Sequence, residues 1–189
     1  MKILAISGSL RSESLNTKVL LAARELADGE VELELYDGLK QIPPYDQEDD
    51  VEPAPAAVAQ FRDAIAGADA ILFSTPEYNS SIPGQLKNAV DWASRPLATN
   101  PLRNKPVAVV GASTGAFGAV WAQAELRKVL SATGARVTEG ELAVGHALQK
   151  FDEDGRLTDE NLVEQLQAVV DELVAAARER AAALAGQPA

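Results

Sequence analysis

Three short segments hold most of the residues whose type and spacing could do chemistry in this chain of 189 residues. The first, Gly8-Ser9-Leu10-Arg11-Ser12-Glu13-Ser14-Leu15-Asn16-Thr17, follows an apolar run and opens a helical pattern. A loop so placed gathers the unpaired N–H groups near Ser14, Leu15 and Asn16, and the helix dipole adds partial positive charge there. Ser9, Ser14, Asn16 and Thr17 contribute hydrogen-bonding side chains, and Arg11 contributes a charged fork that matches phosphate. The segment has neither the Gly-Lys-Ser/Thr of a Walker loop nor the Gly-x-Gly-x-x-Gly of a dinucleotide fingerprint. Side-chain donors replace the glycines that let a backbone approach a pyrophosphate, which suits one terminal phosphate. A capped helix carrying a surface arginine is the plain alternative.

The second segment, Thr75-Pro76-Glu77-Tyr78-Asn79-Ser80-Ser81-Ile82-Pro83-Gly84, is stiffened by two prolines and centred on an aromatic and an amide. A planar heterocycle needs rigid backbone polar groups along one edge and an apolar or aromatic contact on a face, and this loop offers both. A stiff turn with Tyr78 on the surface is the simpler reading of the loop alone. Glu77 is expected to be a structural carboxylate paired with Lys87. The third segment, Gly111-Ala112-Ser113-Thr114-Gly115-Ala116-Phe117-Gly118, contains Gly-x-Ser-x-Gly between a strand and a helix, the pattern of a hydrolase nucleophile elbow. A serine triad then needs an acid and a histidine, and His146 is the single histidine. Only Glu125, Glu139 and Glu141 lie between, leaving too few strands to bring all three groups to one mouth. Glycines that admit a ligand, with a hydrogen bond from Ser113, account for the segment better.

These loops need elements to hold them, and the hydrophobic pattern supplies a regular series. Strands are expected at residues 2–7, 31–36, 68–74, 106–112 and 136–144, the second of them near a sheet edge because its glutamates alternate with apolar residues. Helical spacing follows each: Leu15 to Leu26, residues 56–66, Leu86 to Leu97 with Pro83 near its start, a stretch around Leu126 to Leu130, and a last helix from about Asp159. The Ala-rich tail ending Gly-Gln-Pro-Ala is expected to fray. Strands alternating with helices imply an α/β fold, a parallel sheet covered on both faces, for which the order 2-1-3-4-5 is one of few topologies. Ligands then sit beyond the carboxyl ends of the strands, where all three loops lie.

Composition removes several classes. The formal net charge of −11 opposes a DNA or RNA partner, which needs a basic surface. With no cysteine, there is no disulfide framework, thiolate metal site or cysteine nucleophile. His146 has no metal-spaced partner, so no metal is expected, and the acidic run Glu48-Asp49-Asp50 is taken as a solvated loop. The opening apolar run is too short for a signal peptide or a membrane span, and a cytoplasmic protein of one domain, residues 1–189, is expected.

Taken together the loops resemble the NAD(P)H-dependent FMN reductase family of the flavodoxin-like superfamily. The resemblance rests on Gly-Ser-Leu-Arg-x-x-Ser-x-Asn at 8–16, Pro-Glu-Tyr-Asn-x-Ser-x-Pro-Gly-x-Leu-Lys-Asn-Ala-x-Asp-Trp at 76–92, Gly-Ala-Ser-x-Gly at 111–115 and Ala-Gln-x-x-Leu-Arg at 122–127. It implies a flavodoxin-like three-layer sandwich with noncovalent FMN. Ser9, Arg11, Ser14, Leu15 and Asn16 would hold the phosphate, Pro76, Glu77, Tyr78 and Asn79 would line the isoalloxazine, and Ser113 and Gly115 would lie on its other side or along the ribityl chain. NAD(P)H would be the donor and a free flavin, quinone, azo compound or oxidised metal anion the acceptor, in a homodimer or homotetramer. No catalytic side chain is implied, because the cofactor carries the hydride chemistry. A flavodoxin-type electron carrier is the rival within the fold, and a serine hydrolase using Ser113 a remote one. Glu13 stands where the family often has glycine, Trp121 where it often has arginine, and Ser80 where some relatives carry an aromatic. The Glu13 side chain is expected to point away from the phosphate.

Overall fold

The computed structural model describes residues 1–186. Its elements run β1 (Lys2–Ser7), α1 (Leu15–Leu26), β2 (Glu32–Tyr36), α2 (Ala56–Gly67), β3 (Ala70–Thr75), α3 (Gly84–Ala93), β4 (Pro106–Ala112), α4 (Val120–Ala132), β5 (Arg136–Val137), β6 (Ala143–Val144) and α5 (Glu160–Ala185). All strand pairings are parallel, in the order β2-β1-β3-β4-β5, with β6 also on β4. The expected order 2-1-3-4-5 is the observed one.

The period-two alternation of each strand divides the core into two layers. Ile3 and Ala5 of β1 join Leu72, Ala108 and Val110 beneath α1 and α5. Leu4 and Ile6 face the other way, with Ile71, Phe73, Val107 and Val109, beneath α2, α3 and α4. Both faces of β3 and β4 are buried along their whole length, as a central parallel strand requires. The edge strand β2 leaves Glu32 and Glu34 exposed, and Lys2 pairs with Glu34.

Four expectations are corrected. The fifth strand divides in two: between the pairs Val107–Val137 and Gly111–Ala143, the three residues 108–110 of β4 face the five residues 138–142. The surplus must loop out, and side chains hold it there. The Arg127 guanidinium donates to the carbonyls of Thr138, Gly140 and Val109, while the Glu172 carboxylate accepts from the N–H groups of Glu139 (2.9 Å) and Gly140 (2.7 Å). Helix α3 stops at Ala93, short of Leu97, which is 62% exposed. Ser94 caps it, and Pro96 has no N–H to carry the helix on. The Ala-rich tail is helical to Ala185, where Gly186 donates to the Ala182 carbonyl, so fraying does not extend over it. Residues 187–189 of that expectation lie outside the described residues. Asp50 also differs from its solvated neighbours, since it pairs with Arg62 at 2.9 Å while Arg62 donates to the Trp92 carbonyl. No helix among the described residues is long and apolar enough to cross a membrane.

Lys105 is buried at the opposite end of the sheet from the loops, where its ammonium donates to the carbonyls of Ala66 and Ala68 as α2 ends. Burial lowers its pKa from 10.5 to about 8. Between those values the unfolded chain binds a proton that the folded chain releases, so this group makes stability rise with pH over that window. Denaturant titrations from pH 7 to 10 should show that rise in the native chain and lack it in Lys105→Met. Parallel curves for the two would refute the assignment.

Candidate functional site

The loops after β1, β3 and β4 meet at the carboxyl edge of the sheet. Gly8 donates to the Ser74 carbonyl at 2.8 Å, which ties the first loop to β3. A Cβ on Gly8 would lie 2.8 Å from the Leu86 side chain and 3.3 Å from the Pro76 ring, so a larger residue there would push against the second loop and the start of α3. The cleft between them is walled by Ser9, Arg11, Ser14, Leu15, Asn16, Pro76, Glu77, Tyr78, Ala112, Ser113 and Thr114.

One end of this cleft is built for an anion. Ser14 caps α1, its hydroxyl accepting from Thr17 N–H at 3.2 Å, and Lys18 N–H makes the first helical bond to the Ser14 carbonyl. The N–H groups of Leu15 and Asn16 precede that bond and have no intrahelical acceptor. No acidic residue stands in the first turn of α1, and the Arg11 side chain is exposed beside it. Glu13 is exposed and is not part of the cleft wall. This donor set fits a phosphate, as the first loop alone implied.

The Asn16 side chain has a different employment. It is 3% exposed, its amide nitrogen donates to the Ala112 carbonyl (3.0 Å), and its amide oxygen accepts from Ala112 N–H (2.9 Å) and the Ser74 hydroxyl (2.8 Å). It therefore clamps the start of α1 to the ends of β3 and β4. What it leaves for a ligand is its backbone N–H.

The second loop is a two-residue hairpin. Tyr78 and Ser81 exchange backbone hydrogen bonds of 3.0 and 3.1 Å, and Asn79 and Ser80 between them have φ of 54° and 59°. Positive φ at both central residues is the type I′ geometry that asparagine tolerates well. Asn79 thus turns the chain from outside the cleft wall, while Tyr78 stands at its mouth, 55% exposed.

Glu77 does not pair with Lys87, which instead binds Asp91 at 2.7 Å. Its carboxylate accepts from the N–H groups of Trp121 and Ala122, both at 3.1 Å. The reason lies in α4, whose N-cap is Ala119 in the left-handed region with no capping side chain. The orphan donors there need an acceptor, and a carboxylate also complements the helix dipole. The second loop is so fastened to α4, and a second bond from Ser81 to Glu125 (2.6 Å) reinforces it. A helix start written Phe117-Gly118-Ala119-Val120, without Ser, Thr, Asp or Asn, was the signal that the cap must come from elsewhere.

In the third loop Ser113 donates its N–H to Val144 and its hydroxyl accepts from Gly115 N–H at 3.1 Å. No histidine or carboxylate is hydrogen-bonded to that hydroxyl among the described residues, and Ser113 does not have the positive φ of a nucleophile elbow. His146 is exposed, and its backbone N–H donates to the Gly115 carbonyl, which fixes this loop from below. Gly115 lies outside the cleft wall, whereas Ala112 and Thr114, not singled out by the sequence reading, belong to it. Both are neighbours of Ser113 that only the backbone path brings to the surface of the cleft.

Comparison with known proteins agrees with this construction. Residues 1–149 match the family model described as NADPH-dependent FMN reductase. The chain is 44% identical over 168 residues to a NAD(P)H-dependent FMN reductase of Pseudomonas aeruginosa, covering 88% of this chain and 90% of that one. It is 39% identical over 170 residues to a quinone reductase of Pseudomonas putida, covering 89% and 90%. Among solved structures it superposes with a TM-score of 0.86 and 37% identity on FerB, a flavoenzyme NAD(P)H:(acceptor) oxidoreductase from Paracoccus denitrificans, over 95% of this chain and 98% of that one.

Proposed function

The chain belongs to the NADPH-dependent FMN reductase family, and on that premise we propose that it passes two electrons from NAD(P)H through bound FMN to a small acceptor such as a quinone or a free flavin. The observation that carries the reading is the cleft itself, where a helix start with free N–H donors and a rigid aromatic hairpin wall one space at the carboxyl edge of a parallel sheet.

Bound there, the flavin would supply the redox chemistry by taking hydride from the nicotinamide and delivering two electrons to the acceptor. The residues supply position and charge. Ser9, Arg11 and Ser14, with the N–H groups of Leu15 and Asn16, would hold the phosphate. Pro76, Glu77 and Tyr78 would line the ring from one side, with Ala112, Ser113 and Thr114 along the other. Asn79 and Gly115 act through the backbone, shaping the two loops. Glu77, by capping α4, keeps the ring-side loop in register with the rest of the site. No side chain in the cleft is assigned proton transfer.

Purified protein should be yellow, or turn yellow with added FMN, and should oxidise NADH or NADPH steadily when a quinone is present. A colourless chain that takes up no FMN would refute the proposal, and a yellow one without turnover would leave an electron carrier instead.

The whole chain, residues 1–189, is read as one flavin-binding domain, and the cytoplasm as its compartment, where NAD(P)H is at hand. A homo-oligomer is the assembly proposed. Phe117, Val120 and Trp121 are 64%, 38% and 49% exposed at the start of α4, and the rings of Phe117 and Trp121 meet edge-on with centroids 5.1 Å apart. This apolar patch adjoins the cleft through Glu77, so a second copy covering it would also wall the acceptor's entrance. Trp121→Glu is expected to weaken self-association by about a hundredfold, from the cost of burying an unpaired charge. Light scattering over a concentration series reads this, and a native chain that is monomeric throughout would refute it.

A further inference from the structure

Neither Ser7 nor Thr17 belongs to the wall of the cleft, yet their hydroxyls meet behind it. Thr17 donates to the Ser7 oxygen at 2.9 Å. Ser7 is the last residue of β1, and Thr17 stands in the first turn of α1. One contact thus ties together the two ends of the loop from Gly8 to Asn16. From there hydrogen bonds run into the loop on both sides. The Ser7 hydroxyl also accepts from the Ser9 N–H at 3.4 Å, and the Ser9 hydroxyl accepts from the Arg11 N–H at 3.4 Å. On the helix side the Thr17 N–H donates to the Ser14 hydroxyl at 3.2 Å.

These contacts set the direction of each hydroxyl that faces the cleft. A phosphate oxygen accepts hydrogen bonds, so a serine must offer it a proton. Ser9 and Ser14 each accept from a backbone N–H of the chain, which leaves the hydroxyl proton of each for a ligand. We propose that Ser7 and Thr17 are positioning residues for the phosphate. Their contact closes the loop before a ligand arrives, with Ser9 and Ser14 held as donors on either side of the free N–H groups of α1. The inference rests on the flavin reading of the cleft given above. A loop held in advance loses less conformational freedom on binding, so the contact strengthens affinity without touching the ligand.

The test titrates the flavin-free full chain with FMN and with riboflavin, followed by flavin fluorescence. Valine at position 17 keeps the shape of threonine and removes the donor, whereas serine restores the donor. Thr17→Val is expected to weaken FMN by about tenfold and riboflavin by less than about twofold, while Thr17→Ser stays within about twofold of the native chain for FMN. Ser7→Ala should cost at least as much as Thr17→Val, because Ser9 loses its anchor as well. Adding Thr17→Val to Ser7→Ala should then change FMN affinity by less than about twofold, the contact being already gone. Equal losses for FMN and riboflavin would overturn the inference, since a general loosening of the fold has that effect. A serine that fails to rescue, or a double variant whose losses add, would overturn it too. FMN held by Thr17→Val as tightly as by the native chain sinks the inference alone, whereas a native chain that binds neither ligand sinks the flavin reading beneath it.

Discussion

Asn16→Ala is expected to destabilise the folded chain by about 3–5 kcal/mol, because one truncation leaves three buried partners unsatisfied. The Ala112 N–H and carbonyl and the Ser74 hydroxyl all depend on this amide, at 2.9, 3.0 and 2.8 Å. Water cannot readily replace it, since Asn16, Ser74 and Ala112 are each 3% exposed or less. Asn16→Asp keeps the acceptor but turns a carboxylate oxygen toward the Ala112 carbonyl, so near-identity of shape will not rescue it. Urea denaturation followed by circular dichroism measures the change. A loss below about 1 kcal/mol would mean that the clamp contributes no more than an ordinary surface hydrogen bond. Flavin affinity should fall along with stability, because the same amide sets the start of α1 against the other two loops.

Arg11→Glu should act on the ligand and spare the fold. The side chain is exposed and has no ion pair among the described residues, so its loss removes nothing the folded chain uses. Toward FMN the exchange deletes a charge-assisted hydrogen bond and adds repulsion, together worth about 3–4 kcal/mol, or roughly a hundred- to a thousandfold in Kd. Riboflavin, which has the ring without the phosphate, is the control. Its affinity should change by less than about threefold, and equal losses for the two ligands would show that Arg11 acts on the ring or on loop shape.

The two substitutions mark a division in the first loop between residues that hold the protein and residues that meet the ligand. The sequence reading placed Asn16 and Arg11 in one donor set, because residue type alone does not reveal which way a side chain turns. Asn16 is buried and Arg11 is exposed, and that follows from the position of each relative to the first turn of α1 and the end of β4. Glu77 shows the same limit. Its expected partner, Lys87, was near in sequence, but the strongest demand for a carboxylate came from α4, some forty-four residues away, which lacks a cap of its own. The split of the fifth strand was likewise hidden, since residues 136–144 alternate well enough for one strand, and only the register against β4 exposes the two-residue surplus.

Local period and local chemistry carry what is legible in the chain alone. Apolar runs bounded by turn residues marked β1, β3 and β4, the alternation of Glu and Leu marked β2 as an edge, and the order of strands and helices admitted few topologies besides 2-1-3-4-5. The phosphate loop, the Tyr-Asn turn and the Ser113 loop were legible too, each being a run of adjacent residues whose donors need only a strand before and a helix after. Everything that depends on two distant segments meeting became visible only in the fold: the amide of Asn16 on β4, the carboxylate of Glu77 on α4, and the Arg127 and Glu172 brace of the strand break. The physical reason is the same in each case. A buried donor or a bare helix end requires a partner, and sequence states the requirement without naming the distant residue that the fold brings to meet it.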